Sequence, residues 1–188
     1  MSPPDWLRRL LHTPLRTRRL VIRPLRRGDD RLIYPAVRES LRELAPWLIW
    51  ARSDYDASMS RQFVRAAMGN FKEGRDYALV MTTRGGELVG GTGFHRRGPS
   101  DAIYYEIGYW CRTSLAGQGY TSEAVKALLR YAFRSPSVRR IEIRCDPRNR
   151  ASERVIEKAS LAKEGHLRKV ARDIEGRLHD QLVYAKVR

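Results

Sequence analysis

The spacing of apolar residues along the chain alternates between the period of a β-strand and that of an α-helix. Alternating or continuous apolar runs predict strands, and apolar residues three and four apart predict amphipathic helices. Strand-like runs lie at 20–25, 77–81, 88–94, 103–111 and 140–145, helical spacing lies at 32–41, 59–71, 125–133 and 155–159, and the tail at 165–188 has the pattern of a hairpin. The pattern predicts a mixed α+β protein.

Glycines and polar residues mark the turns between the central strands. Gly85-Gly86 and residues 98–101 are predicted turns of an antiparallel meander. A helix separates the strand at 103–111 from the strand at 140–145, so these two are predicted to pair in parallel. The strand at 88–94 is rich in glycine, which invites close approach by another group.

Length and composition predict one folded domain, residues 15–188, preceded by a basic amphipathic extension, residues 1–14. The chain has 188 residues, 42% of them hydrophobic. Trp6, Leu7, Leu10 and Leu11 form one helical stripe that is expected to dock on the domain; the alternatives are membrane-surface binding, disorder and a partner contact. The sequence has neither a secretory signal nor an apolar run of the roughly 20 residues that span a bilayer, so we expect a cytoplasmic protein without a membrane partner.

The net charge of +16 is carried mainly by arginine, because only six of the 37 basic residues are lysine. Such a field attracts an acidic cofactor, an acidic protein or nucleic acid, whereas a mere preference for arginine would only solvate the surface. The two cysteines are expected to be buried thiols, and the four histidines lack the close spacing of zinc sites. We therefore predict no metal.

The segment from 105 to 124 is predicted to form a strand, an anion-binding turn and a helix. Gly117 and Gly119 leave consecutive N–H groups open to a phosphate at the positive end of a helix. Tyr120 and Thr121 replace the Lys-Ser/Thr pair of a Walker loop, and Ser122 replaces the third glycine of a dinucleotide fingerprint. Both of these nucleotide sites are thereby disfavoured.

Four segments together resemble the GNAT superfamily of acetyl-CoA-dependent N-acetyltransferases, most closely its RimJ/RimL-like branch. They lie at 20–25, 44–50, 106–124 and 149–152, and the resemblance extends roughly over residues 15–187. It implies a three-layer α/β arrangement: a twisted, mostly antiparallel sheet with one central, splayed parallel strand pair, flanked by helices. It also implies acetyl transfer from acetyl-CoA to a primary amine by direct attack on the thioester.

The resemblance further implies which residues hold acetyl-CoA. Main-chain groups are expected to pair with the pantetheine arm and to bind the pyrophosphate. The residues expected to pair with the pantetheine amides are Tyr109, Trp110, Cys111 and Arg112, and the pyrophosphate residues are Gly117, Gln118, Gly119, Tyr120 and Thr121. Asn149 is expected to contact the pantetheine arm, and Ser152 is a further predicted cofactor-binding residue. Asn149 has a second interpretation as the cap of the following helix.

Two residues are candidates for proton transfer. Glu106 is expected to take a proton from the amine, directly or through water, if burial raises its pKa; the alternative is a substrate-orienting or salt-bridged carboxylate. Many family members have a tyrosine acid where this chain has Ile156, so Ser152 becomes the candidate proton donor, against a capping or exposed hydroxyl. Ser114 and Ser160 depart from the family pattern, and Ser160 is expected to take a helix C-cap conformation that glycine adopts more easily.

The acceptor side is less defined by the sequence. Trp47 and Trp50 are expected to line a substrate pocket or else to pack in the core. The resemblance favours a protein N-terminal α-amine of the ribosomal-protein type, and the basic charge suits an acidic protein or peptide. The alternatives are a small-molecule amine acetyltransferase and a non-catalytic nucleic-acid-associated module; nucleic acid is not the expected partner. Either a monomer or a homodimer is compatible with the sequence.

Overall fold

The computed structural model of the protein describes residues 3–99 and 104–188, which fold around one eight-stranded sheet. The helices are α1 (Asp5–His12), α2 (Asp30–Leu44), α3 (Ala57–Lys72), α4 (Tyr120–Ala132) and α5 (Arg150–Lys158). The strands are β1 (Leu15–Arg16), β2 (Leu20–Pro24), β3 (Tyr77–Thr83), β4 (Leu88–Arg97), β5 (Tyr104–Cys111), β6 (Arg140–Cys145), β7 (Ala162–Arg172) and β8 (Leu178–Val187). Their order in the sheet is β1-β2-β3-β4-β5-β6-β8-β7.

The sheet is antiparallel except for the pairing of β5 with β6, which is parallel. The predicted mixed fold with one central parallel pair is therefore confirmed. The final hairpin begins at Ala162, whereas the sequence pattern predicted its start three residues later, at Gly165. Part of the predicted turn at 98–101, and the predicted strand start at 103, lie outside the described residues.

Helices cover both faces of the sheet. In β3, Leu79 and Met81 pack into the core beneath α1, α4 and α5, while Ala78 and Val80 pack into the core beneath α2 and α3. Successive side chains of a strand point to opposite faces, and here both faces are buried. This is why β3 reads as a continuous apolar run and why the fold has three layers.

The N-terminal helix α1 is packed against the main core. Trp6, Leu7 and Leu10 are buried, whereas Leu11 is exposed. The Trp6 ring makes an edge contact with Tyr105, with ring centroids 5.3 Å apart. The apolar stripe is therefore used within the chain, as the docking interpretation expected. Within the described chain, no helix combines the length and the apolar character needed to cross a membrane.

The glycines of β4 accommodate the neighbouring strand. A Cβ at Gly91 would lie 2.3 Å from Nε1 of Trp110, and one at Gly90 would lie 2.1 Å from the Trp110 carbonyl oxygen. Trp110 itself is the group that approaches closely. Trp110 also packs against Trp50, with the two ring centroids 6.0 Å apart.

The two parallel strands separate after a short contact. The register joins Tyr105 to Ile141 and Glu106 to Glu142, and the remainder of β5 has no partner on β6. The sheet therefore opens between the C-terminal halves of these two strands, which is the splayed arrangement predicted from the sequence.

Candidate functional site

A cleft of about 690 Å³ occupies the opening between β5 and β6. The turn before α4, the start of α5 and the segment after α2 complete its walls. Of the residues predicted from the sequence, it is lined by Trp47, Glu106, Tyr109, Trp110, Cys111, Gly117, Gly119, Tyr120, Thr121, Asn149 and Ser152. Trp50, Arg112 and Gln118 do not line it.

The open edge of β5 presents main-chain groups to the cleft. The Arg112 N–H donates to the Val89 carbonyl at 2.8 Å, so it is committed to β4. Main-chain groups alternate between the two edges of a strand, which directs Trp110 toward β4 and Tyr109 and Cys111 toward the cleft. Of the four residues predicted to pair with pantetheine, only Tyr109 and Cys111 therefore present both main-chain groups to the opening.

The turn before α4 has the geometry of an anion site. Gly117 and Gly119 have φ values of +76° and +80°, which a residue with a Cβ adopts only with strain. Within the described part of the chain, the N–H groups of 117–122 have no hydrogen-bond acceptor. Since these groups lie at the positive end of α4, the turn fits a pyrophosphate. The Ser114 N–H, by contrast, is bound to Glu39 at 2.8 Å.

An ion pair fixes this turn to the start of the sheet. The Glu123 carboxylate accepts hydrogen bonds from the Thr17 hydroxyl at 2.6 Å, the Arg19 N–H at 3.0 Å and the Arg19 Nε at 2.6 Å. Arg19 also donates to the Gln118 carbonyl at 2.9 Å and lies 4.3 Å from the centre of the Tyr120 ring. The sequence reasoning missed this support, although an acidic residue in the first turn of a helix is a recognisable signal.

Ser152 lies beside Tyr109 in the cleft. The Tyr109 hydroxyl is 2.8 Å from the Ser152 Oγ. Burial raises the pKa of Tyr109, so its phenol stays protonated at neutral pH. The Asn149 side chain caps α5 by accepting from the Ser152 N–H at 3.0 Å, as its alternative interpretation expected. Burial raises the pKa of the neighbouring Cys145 to about 11, which leaves it an unreactive thiol.

The positions that depart from the family pattern have clear surroundings. Ile156, where many family members have a tyrosine, is fully buried. Ser160 has φ +58°, which confirms the predicted left-handed conformation after α5.

Glu106 lies where β5 and β6 still pair, and its carboxylate is engaged. Arg97 donates to it from Nε at 2.9 Å, and the Glu106 side chain is 20% exposed. Next to it on the same face, a Cβ at Gly108 would lie 2.9 Å from Nε2 of His95. These contacts match the salt-bridged alternative for Glu106.

The opposite wall of the cleft contains polar residues that the sequence reasoning missed. Asp146, directly after β6, binds Arg148 through both carboxylate oxygens, and the Arg148 guanidinium lies 5.8 Å from the Trp47 ring centre. His179 and Gln181 reach the same wall from β8. Asp146 could have been found, because ligands bind beyond the carboxyl ends of parallel strands. His179 has no comparable signal in the sequence.

A second, smaller cleft of about 430 Å³ lies between α4, the end of α5 and the end of β8. Its charged lining is wholly basic: Lys126, Arg130, Lys158, Lys186 and Arg188. Lys158 also lines the larger cleft.

Comparison with known proteins defines the class. The structure combines an opened parallel strand pair with a turn that has the geometry of an anion site. Residues 19–161 of the chain match the family model described as an acetyltransferase (GNAT) domain. The chain belongs to the GNAT family of acetyltransferases. The family predicted from the sequence is thereby confirmed.

Curated relatives match over part of their length. The ribosomal-protein-serine acetyltransferase of Escherichia coli (strain K12) is 34% identical over 114 residues, which are 60% of this chain and 63% of that protein. The uncharacterized N-acetyltransferase YnaD of Bacillus subtilis (strain 168) is 38% identical over 65 residues, 35% of this chain and 38% of that protein. The chain thus spans less than two thirds of each of these relatives.

Solved structures share the fold over almost the whole chain. A RimL ribosomal L7/L12 α-N-protein acetyltransferase in complex with coenzyme A has a TM-score of 0.84 at 23% identity, covering 93% of this chain and 98% of that one. The microcin C7 self-immunity acetyltransferase MccE, in complex with acetyl-CoA and AMP, also has a TM-score of 0.84, at 20% identity, covering 92% and 94%.

Proposed function

We propose that this protein transfers the acetyl group of acetyl-CoA to the N-terminal α-amine of a protein. The observation that carries the proposal is the opening of β5 from β6 after Glu106. The turn at 117–122, whose N–H groups have no acceptor among the described residues, lines the same cleft. The cleft offers a strand edge to an amide-bearing arm and a helix terminus to a pyrophosphate.

The chain's own groups hold the cosubstrate through the main chain. Tyr109 and Cys111 offer N–H and C=O groups to the pantetheine amides, and the turn from Gly117 to Thr121 offers N–H groups to the pyrophosphate. Asn149 lines the cleft beside them. Acetyl-CoA supplies an activated acetyl group, whose bond to sulfur breaks as the bond to the amine nitrogen forms.

The Ser152 hydroxyl is the proposed proton donor to the departing sulfur. Its partner at 2.8 Å is the Tyr109 phenol, which burial keeps protonated. A hydroxyl pair of this kind returns a proton to the serine after it has donated one. The acid role that many family members give to a tyrosine is then shared between two residues on facing elements.

Glu106 is proposed to orient the amine. Its carboxylate is a suitable partner for the ammonium form of the acceptor, and Arg97 already occupies one side of it. A carboxylate held in an ion pair binds a cation well and needs no change of protonation state to do so. Trp47, which lines the cleft, is proposed to contact the acceptor chain.

An acidic protein N-terminus is the proposed acceptor. The net charge of +16 attracts acidic chains. A ribosomal-protein-serine acetyltransferase is among the relatives in sequence, and a ribosomal L7/L12 α-N-protein acetyltransferase is among the proteins of similar fold. Such proteins are made in the cytoplasm, where we propose that the enzyme acts.

The test is an acceptor panel. The purified protein is incubated with acetyl-CoA and peptides that share a serine N-terminus but continue with acidic or basic residues. We expect thiol release and the mass increase of one acetyl group with the acidic peptides, and neither with the same peptides blocked at the α-amine. Transfer to the blocked peptides would place the acetyl group on lysine and refute the α-amine assignment.

A small-molecule amine is the second candidate acceptor. It is favoured by the likeness in fold to MccE, whose structure is in complex with acetyl-CoA and AMP. Aminoacyl nucleotides and polyamines therefore belong in the same panel. Thiol release with these compounds alone would support this candidate over the first.

A further inference from the structure

His179 is a polar residue of the cleft to which the proposed function gives no role. It lies near the start of β8, opposite Ala171 of β7, and its side chain is 17% exposed. Among the four histidines, all of which lie in the described ranges, it alone lines the larger cleft. The antiparallel pairing of β8 with β6 brings it next to Asp146, at the carboxyl end of β6.

The neighbours of His179 determine which ring nitrogen carries the proton. Its Nδ1 lies 2.9 Å from the Asp146 Oδ2 and 3.2 Å from the Asp180 carbonyl oxygen. Both atoms can only accept hydrogen bonds while Asp146 is ionised. The neutral ring must therefore carry its hydrogen on Nδ1, which leaves the lone pair of Nε2 free to accept a proton.

Asp146 is well suited to stabilise a positive charge on this ring. Its side chain is 4% exposed, and Arg148 donates to it from the main-chain N at 2.8 Å, from Nε at 2.9 Å and from Nη2 at 2.7 Å. Burial alone raises the pKa of Asp146, but the hydrogen bonds and charge of Arg148, with a smaller effect of His179, lower it overall. The carboxylate is thus held ionised and immobile beside the ring.

The other candidates for proton removal are less well placed. The Glu106 carboxylate is bound to Arg97. His95 donates from Nδ1 to Asp76, at 2.7 Å, and packs against Gly108 rather than lining the cleft. His166 pairs with Asp180 at 2.8 Å and does not line the cleft either.

We propose that His179 is the residue that takes a proton from the incoming amine. This step rests on the proposed function. The amine enters as an ammonium and gives one proton to Nε2, so that His179 becomes an imidazolium paired with Asp146. The neutral amine forms the C–N bond as the C–S bond breaks. Ser152 protonates the sulfur and regains a proton from Tyr109, which in turn takes the surplus proton of the acetylated nitrogen. His179 releases its own proton to solvent. No oxidant or reductant is needed.

Charged groups on the neighbouring elements determine the electrostatic environment in which His179 accepts the proton. Besides Asp146 and Arg148 on the segment after β6, they are Asp180 on β8, next to His179, and Arg144 on β6. Arg148, which binds Asp146, also lies 5.8 Å from the centre of the Trp47 ring, the proposed acceptor contact. His179 and Trp47 both line the same cleft.

The first test compares His179→Asn with the matched control His166→Asn. Both histidines contact an aspartate at less than 3 Å, but only His179 lines the cleft. At pH 7 we expect kcat/KM of His179→Asn to fall on the order of 10²-fold, the typical contribution of a general base. The difference in kcat/KM between the wild type and His179→Asn should narrow to less than about tenfold near pH 9.5, where an α-amine is already neutral. The control should stay within about twofold of the wild type.

Three outcomes would overturn the proposal: full activity of His179→Asn at pH 7, a loss of equal size at every pH, or a loss of acetyl-CoA affinity that accounts for the lost activity. A residue that merely supports the fold would give the second or third of these. Acetyl-CoA affinity, measured by calorimetry, should change less than about twofold.

The second test needs no acceptor. Long-range ¹H–¹⁵N spectra of the wild-type protein report the tautomer of each histidine ring. We expect neutral His179 to carry its hydrogen on Nδ1. A hydrogen on Nε2 would refute the assignment of His179 as the proton acceptor, even if the enzyme is active. If no peptide is acetylated and yet the Nδ1 tautomer is found, the proposed acceptor fails while the assignment of His179 as a proton acceptor retains its support.

Discussion

The hydrogen bonds of Glu123 offer the sharpest test of how the sheet supports the phosphate turn. We expect Glu123→Gln to destabilise the protein and to weaken acetyl-CoA binding together. The glutamine keeps one acceptor oxygen but places an amide NH₂ group against the Arg19 guanidinium, so the charge-assisted bond at 2.6 Å is lost. Arg19, which also holds the Gln118 carbonyl at 2.9 Å, is then free to move away from the turn.

The magnitude follows from the contacts. The Glu123 side chain is 20% exposed and accepts three hydrogen bonds, one of them from a guanidinium. Losing a hydrogen bond to a charged group costs about 2 kcal/mol, which lowers the Tm of a domain of this size by about 4–8 °C. The Kd for acetyl-CoA should rise several-fold, because the turn loses part of its fixed conformation.

The pH dependence has a definite sign. Burial alone raises the pKa of Glu123, but the hydrogen bonds from Thr17 and Arg19 lower it overall, below its ordinary value of 4.5. A carboxyl with a lowered pKa stabilises the fold above that value, and this contribution is lost as the pH falls through the folded-state pKa. The difference in Tm between wild type and Glu123→Gln should therefore be full at pH 7 and shrink below about pH 4.5.

Asp54→Asn is the matched control for a surface ion pair. Asp54 bonds Arg52 at 2.9 Å, but both side chains are more than half exposed, so we expect little change in Tm and no effect on acetyl-CoA binding. Thermal unfolding between pH 3.5 and 8 and calorimetric titration with acetyl-CoA supply the measurements. If Glu123→Gln matched this control in both, the view that the ion pair fixes the turn would be refuted.

Three further substitutions test the site and the core. Gly119→Val, at φ +80°, should abolish acetyl-CoA binding by calorimetry while circular dichroism stays unchanged; retained binding would contradict the anion-site assignment. Ser152→Ala should lower kcat on the order of 10²-fold with little change in acetyl-CoA Kd, and an equal loss of both would exclude an acid role. Gly91→Ala, whose Cβ would lie 2.3 Å from the Trp110 Nε1, should lower the free energy of unfolding by about 1–3 kcal/mol. Gly69→Ala in α3, whose Cβ would have no neighbouring atom within 4 Å, should instead raise it by about 0.5–1 kcal/mol. Denaturant unfolding should therefore show changes of opposite sign for the two variants.

Local periodicity was sufficient for most elements of the fold. The alternation at 140–145 coincides with β6, and the helical spacing before it lies within or next to α4. The parallel pairing of β5 and β6 followed from the intervening helix. These features depend on short-range sequence patterns, which a reader of the sequence can see directly.

Contacts between distant segments were harder to predict. The glycines of β4 indicated close approach, but Trp110 as the approaching group follows only from the register of β4 and β5. His179 and Asp146 are likewise far apart in sequence and meet because β8 pairs with β6. A sequence shows which residues are available but does not give the register that brings them together.

The predicted site residues divide along the same line. Residues within the continuous motif from 106 to 121 mostly line one cleft, since a strand and the turn after it stay together in space. Trp50 instead packs on Trp110, and the Arg112 N–H donates a hydrogen bond to Val89 of β4 within the sheet. Alternation along β5 explains the second departure, because neighbouring main-chain groups face opposite edges.

The open edge of β5 has a consequence for how such a protein can diversify. In the proposed site, the backbone at Tyr109 and Cys111 and the turn at 117–121 would bind acetyl-CoA through main-chain N–H and C=O groups, which every residue type carries except that proline lacks the N–H. Side chains around the cleft can therefore be exchanged during evolution without erasing cosubstrate recognition, as long as the strand stays open and the glycine turn keeps its shape. The proposed acceptor contact, Trp47, could then change to suit a new amine, while the main-chain half of the site remains the same.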